Sequence, residues 1–158
     1  MTRERWKIAI GGDDAGLPLK DELAGLLRAD ERVQVVQDFG VADTADQRTY
    51  PDVGLAVAEG IAAGRFDRAL LVCGTGIGMA IAANKVPGVR ATVAHDAYSV
   101  QRSVLSNDCQ VLTMGARVVG PELAKLLVDE WLDLLFDPGS NSAKKVAVIS
   151  EYESEHAR

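Results

Sequence analysis

Apolar residues in this chain come in short runs separated by amphipathic stretches, a pattern that predicts strands and helices alternating around a parallel sheet. Residues 7–11 (KIAIG) read as a first buried strand. Pro18 stands where a helix can begin, and Leu19, Leu23, Leu26 and Leu27 follow at helical spacing. A second strand is predicted over 33–36, then a helix from Asp52 to about residue 63, with Val53, Val57 and Ile61 four apart. Residues 69–73 read as the third strand and 78–85 as the helix after it. A fourth strand over 90–95, a short helix over 99–105, a fifth strand over 110–114 and an amphipathic helix over 121–136 continue the alternation. After a turn at 137–142, a last helix over about 143–153 carries Val146, Ile149 and Tyr152 on one face. The expected fold is α/β, a three-layer αβα sandwich with a Rossmann-like five-stranded parallel sheet. No internal repeat, low-complexity segment or linker divides residues 1–158, so one domain is expected. Ligands of such folds sit beyond the carboxyl ends of the strands.

Composition narrows the class of ligand. The 158 residues are 47% apolar and 25% charged, with a net charge of −6. That balance disfavours nucleic acid and anionic membranes, which select a basic face. An anionic ligand must therefore be held by a local arrangement. The two cysteines, Cys73 and Cys109, lie inside apolar runs and suggest no disulfide framework. Residues 1–7 lack the apolar core of a secretory signal, and no apolar run approaches the ~20 residues of a membrane helix. A cytoplasmic protein is expected.

Three strand ends carry candidate chemistry. After the third strand comes Cys73-Gly74-Thr75-Gly76-Ile77-Gly78, where alternate glycines strip side chains from a strand-to-helix turn. Backbone N–H groups can then point at an anion, helped by the helix dipole. No Gly-Lys-Ser/Thr follows, and the spacing of a dinucleotide fingerprint is missing. Cys73 is compatible with two roles, the last buried residue of a strand or a reactive thiol at a helix N-terminus. After the first strand, Asp13 and Asp14 either face the ligand crevice or cap the helix ahead of Pro18. After the fourth strand, His95 is either structural or catalytic. Paired acids also suit a phospho-accepting receiver domain, but the acceptor and lysine positions of that fold hold Cys73 and Gly115.

Assembled, these residues resemble the ribose-5-phosphate isomerase B family, which includes the galactose-6-phosphate isomerase subunits. The matching stretches are Gly11-x-Asp13-x-Ala15-Gly16, Tyr50-Pro51-Asp52, the run from Cys73 through Met79 and Ile81 to Lys85, Asn107-Asp108, and Gly115-Ala116-Arg117-Val118-Val119-Gly120. They run through nearly the whole chain in order. The resemblance implies an aldose–ketose isomerase of a small sugar phosphate, acting without metal or organic cofactor. It also implies a homodimer or tetramer with active sites between subunits, the last helix packing on the partner. Cys73 would be the base, Thr75 would shuttle protons between the substrate oxygens, and the amides of Gly74, Gly76, Ile77 and Gly78 would stabilise an enediolate. Asp13 and Asn107 would hold hydroxyls. Asp14, Tyr50, Arg117, Lys144 and Lys145 would lie along the rest of the substrate, the cations near its phosphate.

Three positions depart from that family's pattern. Its histidine after the first-strand Asp is Asp14 here, its ring-opening histidine is Ser106, and its C-terminal arginines correspond to a region with only Lys144 and Lys145. A tetrose 4-phosphate cannot close a furanose ring, because its 4-hydroxyl is esterified, so an enzyme for it can dispense with a ring-opening histidine. The chain resembles the family branch that isomerises D-erythrulose 4-phosphate to D-erythrose 4-phosphate, and that substrate is expected over ribose 5-phosphate. His95 is the residue that could still open a ring. A non-catalytic subunit of a heteromeric isomerase is the alternative of another class; the retained Cys73 and Thr75 argue against it.

Overall fold

The computed structural model describes residues 5–157; residues 1–4, part of the stretch read for a leader, lie outside the described residues. The elements are β1 (Trp6–Gly12), α1 (Leu17–Ala29), β2 (Val33–Asp38), α2 (Tyr50–Ala62), β3 (Arg68–Cys73), α3 (Ile77–Ala83), β4 (Ala91–Val93), α4 (Ala97–Leu105), β5 (Val111–Gly115), α5 (Pro121–Asp133) and α6 (Asn141–Glu155). Five strands form one sheet in the order β2-β1-β3-β5-β4, and every pairing is parallel. β3 lies at the centre and is buried at all six positions. Its sequence therefore reads as a continuous apolar run rather than an alternation.

The two faces of the sheet carry different helices. Ile8, Ile10, Leu70, Val72, Leu112 and Met114 pack with α1, α4 and α5, whose Leu23, Val100 and Trp131 are fully buried. On the other face Ala9, Ala69, Leu71 and Val111 pack with Val53, Val57 and Met79 of α2 and α3. This is the three-layer sandwich expected. α6 stands outside both cores, with only Val146 buried and Val148, Ile149 and Tyr152 exposed. No helix of the described residues is long and apolar enough to cross a membrane.

Element ends depart from the periodicity for local reasons. α5 stops at Asp133 rather than continuing to 136. The Arg68 guanidinium, stacked 4.0 Å from the Trp6 ring, donates to the carbonyls of Trp131 and Leu134 and so satisfies the helix end. β4 is only three residues long against the six expected. It is an edge strand, and the Arg90 amide leaves the ladder to donate to Gln110 Oε1 at 2.8 Å. α4 begins earlier than its spacing suggests because the Asp96 carboxylate takes the Ser99 N–H at 2.8 Å, an N-cap. Buried Lys20 ties α1 to β2 through Asp38 at 2.6 Å. Burial opposes its charge, but Asp21 and Asp38 outweigh that and raise its pKa.

Chain order creates the crevice. From β1 the chain runs outward to β2, then returns across to β3 and leaves over the opposite face. Loops after β1 and β3 therefore diverge, and their carboxyl ends face an open cleft.

His95, just beyond β4, accepts the Gly115 N–H on Nε2 at 2.8 Å. That geometry requires an unprotonated Nε2. Burial lowers the pKa of His95, with Asp96 opposing the shift. The unfolded chain, whose histidine titrates near 6.5, thus takes up a proton before the native state does. Native stability should fall as pH drops below that value. Urea unfolding followed between about pH 7 and pH 5 should show a shallower loss in His95→Gln, which keeps an acceptor but cannot titrate. Identical slopes in the two proteins would remove His95 from the pH response.

Candidate active site

Cys73 closes β3 with its side chain almost fully buried, and the chain then folds back over it. Gly76 takes the left-handed conformation, φ +80°, as the N-cap of α3. A side chain at that φ would be strained, and a Cβ would fall 2.9 Å from the Met114 carbonyl carbon. The turn aims the Gly76 N–H at Cys73 Sγ, 3.1 Å away. Thr75 Oγ1 accepts the Ile77 N–H at 3.3 Å, which sets the hydroxyl at the loop surface. Two of the expected oxyanion donors, Gly76 and Ile77, are thus engaged within the loop. The amides of Gly74, Thr75 and Gly78 are the ones outside its described hydrogen bonds.

From β1 comes Asp13, buried, with Oδ1 taking the Gly16 N–H at 3.0 Å. Asp13 does not cap α1, whose N-cap Gly16 has no side-chain cap; its Oδ1 closes the loop before the helix, and the carboxylate lines the cleft. Tyr50 arrives at the start of α2, where the Asp52 carboxylate takes the Thr49 N–H and hydroxyl, each at 2.8 Å. Its ring lies against Gly78. Arg117, after β5, donates its amide to the Gly74 carbonyl at 3.0 Å and keeps its side chain exposed at the cleft.

Together these residues line a cavity of about 440 Å³: Asp13, Asp14, Ala15, Tyr50, Cys73, Gly74, Thr75, Ile77, Gly78 and Arg117. Nine of the ten are residues that the sequence singles out. Ala15 is the tenth; it stands in the matching stretch Gly11–Gly16, but its methyl group suggested no role in the site. Gly76 sits beneath the loop rather than in the cavity wall. Its carbonyl takes the buried Thr113 hydroxyl at 2.7 Å.

Five expected residues are not brought to Cys73 within one chain. Asn107 lines a separate cavity of about 500 Å³ between β4 and α4. Ser106 lies at the end of α4, and Lys144 and Lys145 are exposed in the first turn of α6. His95 is outside the Cys73 cavity, its Nε2 held by Gly115. Among the described residues no group of three or more His, Cys, Asp or Glu is placed to hold a metal ion.

The cleft thus combines a thiol, a hydroxyl, backbone donors, one guanidinium and two carboxylates at the switch point of a parallel sheet. Comparison with known proteins shows the family. The family model described as Ribose/Galactose Isomerase matches residues 8–149. A D-erythrulose-4-phosphate isomerase 2 of Mycolicibacterium smegmatis is 61% identical over 147 residues, covering 93% of this chain and 97% of that protein. The ribose-5-phosphate isomerase B of Escherichia coli is 42% identical, covering 91% and 95%. A solved ribose-5-phosphate isomerase B from Clostridium thermocellum superposes with a TM-score of 0.88 at 44% identity, covering 96% of this chain and 99% of that one. The chain belongs to the ribose/galactose isomerase family and is a sugar-phosphate isomerase.

Proposed function

We propose that this isomerase interconverts D-erythrulose 4-phosphate and D-erythrose 4-phosphate through a cis-enediol, with Cys73 as the base. The observation that carries the mechanism is the position of Cys73 Sγ, in the wall of the cleft and oriented by the Gly76 N–H. Sγ takes a proton from the carbon beside the carbonyl and returns it to the neighbouring carbon. The Thr75 hydroxyl carries the second proton between the two substrate oxygens. Gly74, Thr75 and Gly78 amides face the enediolate oxygen, a role in which one donor is typically worth about 3–4 kcal/mol. Asp13 holds a substrate hydroxyl, and Arg117 supplies local positive charge in a chain of net charge −6.

Three features support the tetrose. The Mycolicibacterium relative, at 61% identity, is named for erythrulose 4-phosphate. Ser106 has no acid–base function, and His95, the other candidate for opening a ring, has its Nε2 occupied by Gly115. A tetrose 4-phosphate, being open-chain, needs neither. Ribose 5-phosphate is the second reading, favoured by the Escherichia and Clostridium relatives.

The active unit is a homodimer or tetramer. The exposed apolar face of α6 is the part that packs on a partner, and Asn107, Lys144 and Lys145 reach a catalytic cleft from there.

Cys73→Ala should abolish exchange of the substrate carbon-bound proton in deuterated water, at a cost of about 10²-fold or more in kcat, with the circular dichroism unchanged. Exchange at the wild-type rate would exclude Cys73 as the base. The specificity constant kcat/KM should favour D-erythrulose 4-phosphate over ribose 5-phosphate, and a preference for the pentose would refute the tetrose assignment.

A further inference from the structure

The larger cavity, about 500 Å³, lies apart from Cys73, and Arg90, Thr92, Ser99, Arg102, Asn107 and Ile149 are among its walls. Its two arginines are not equivalent. Arg90 is spent: Nη2 donates to the Asp108 carboxylate at 3.0 Å and Nε to the Asn107 carbonyl at 3.0 Å. Arg102 is not. Its Nη1 reaches Ser106 Oγ at 3.3 Å, its guanidinium rests 5.7 Å from the Tyr98 ring centre, and Nε is buried with no hydrogen-bond partner among the described residues. A buried donor on a charged group is costly to leave unmade. Nε itself is shut off from solvent, but Nη2 also makes no hydrogen bond among the described residues and is the donor left for an acceptor from outside the chain. The acceptors that match a planar fork of donors are phosphate and carboxylate.

We infer that Arg102 binds the phosphate of the substrate held in the catalytic cleft of a second copy of this chain. The inference rests on the two-subunit, sugar-phosphate reading above. The catalytic cleft has one guanidinium, Arg117, against the carboxylates Asp13 and Asp14, so its own walls do not neutralise a phosphate dianion. Exposed apolar side chains border both cavities. Ile77, 54% exposed, lines the catalytic cleft, with Ile81 next along α3; Ile149, 52% exposed, lines the Arg102 cavity, with Tyr152 next along α6. A two-fold contact is self-complementary, so each end of such a face meets the opposite end of the same face on the partner. That contact sets the Arg102 cavity of one copy over the Cys73 cleft of the other, twice per dimer. It also sets an unspent cation over an acidic cleft, and covering both removes water and strengthens their interaction. In a tetrose 4-phosphate the phosphate follows directly on the fourth carbon, close to the reacting pair, so the guanidinium that meets it must come from the facing wall. Ser106, small and hydroxylated beside Arg102, leaves room for the phosphate oxygens and adds a donor.

The test uses the full-length enzyme, D-erythrulose 4-phosphate as substrate and inorganic phosphate as a competing probe. Arg102→Gln should raise KM about 10–100-fold while kcat stays within about threefold, and phosphate inhibition should weaken in parallel. Arg102→Lys, which keeps the charge, should recover part of the loss. Co-expression of Cys73→Ala with Arg102→Gln chains should rescue low-substrate activity to about a quarter of wild type, because mixed dimers rebuild one intact site. An unchanged KM in both Arg102 variants overturns the inference. So does a mixed preparation no more active than its parents, which would confine Arg102 to its own subunit. Wild-type enzyme inactive on the tetrose phosphate would instead defeat the substrate assignment, and the same KM and mixing comparison is then read on ribose 5-phosphate.

Discussion

The hydrogen bonds that tie the loop after β3 to the end of β5 hold the active site together. The Ala116 N–H reaches the Cys73 carbonyl at 2.8 Å, the Arg117 N–H reaches the Gly74 carbonyl at 3.0 Å, and the Thr113 hydroxyl reaches the Gly76 carbonyl at 2.7 Å. The two backbones approach so closely that a Cβ on Gly115 would lie 2.5 Å from Thr75 Cα. These contacts exist only because β5 is inserted between β3 and β4, which puts Gly115 opposite Cys73. Strand order thus decides where Gly76 can turn, and the Gly76 amide decides where the sulfur points. On the far side of β5, His95 takes the Gly115 N–H and closes the same pairing from the edge strand.

That arrangement suits a reaction built from proton transfers. The proposed isomerisation asks for a base, a proton relay and fixed donors for a developing oxyanion, and all three come from residues 73–78. Because the donors are backbone groups clamped by neighbouring strands, little reorganisation is needed as charge develops. In the proposed reaction an acidic chain would meet an anion locally, with loop amides and the exposed Arg117, rather than by the field of the whole molecule. The surface follows a similar division. α6 shares neither core, and the uncommitted Arg102 sits beside its Ile149.

Much of the fold was legible because burial imposes periodicity. The run Ala69–Leu70–Leu71–Val72–Cys73 has no alternation, as expected of a strand covered on both faces. Leu19, Leu23 and Leu27 mark the buried stripe of α1. What escaped were ends set by partners distant in sequence. α5 stops where Arg68 takes its last carbonyls, and β4 is cut short where Arg90 turns to Gln110. In the site, Cys73 and Asp13 were legible because their chemistry is unusual at strand ends, and Thr75 and Arg117 through the family resemblance. Arg102 was not, because one arginine on an amphipathic helix looks like any solvated charge.

By itself the sequence determined the α/β class through its apolar spacing, marked the glycine-rich loop after β3 as a candidate site, and carried the stretches by which the chain resembles its family. The tertiary structure decided which candidates meet. It placed Asp13, Tyr50, Cys73 and Arg117 around one cleft, gave His95 to the Gly115 amide, and left Asn107 and Arg102 in a different cavity. The reason is physical: strand order and the direction of each crossover set distances between residues up to a hundred positions apart, and no local pattern encodes them.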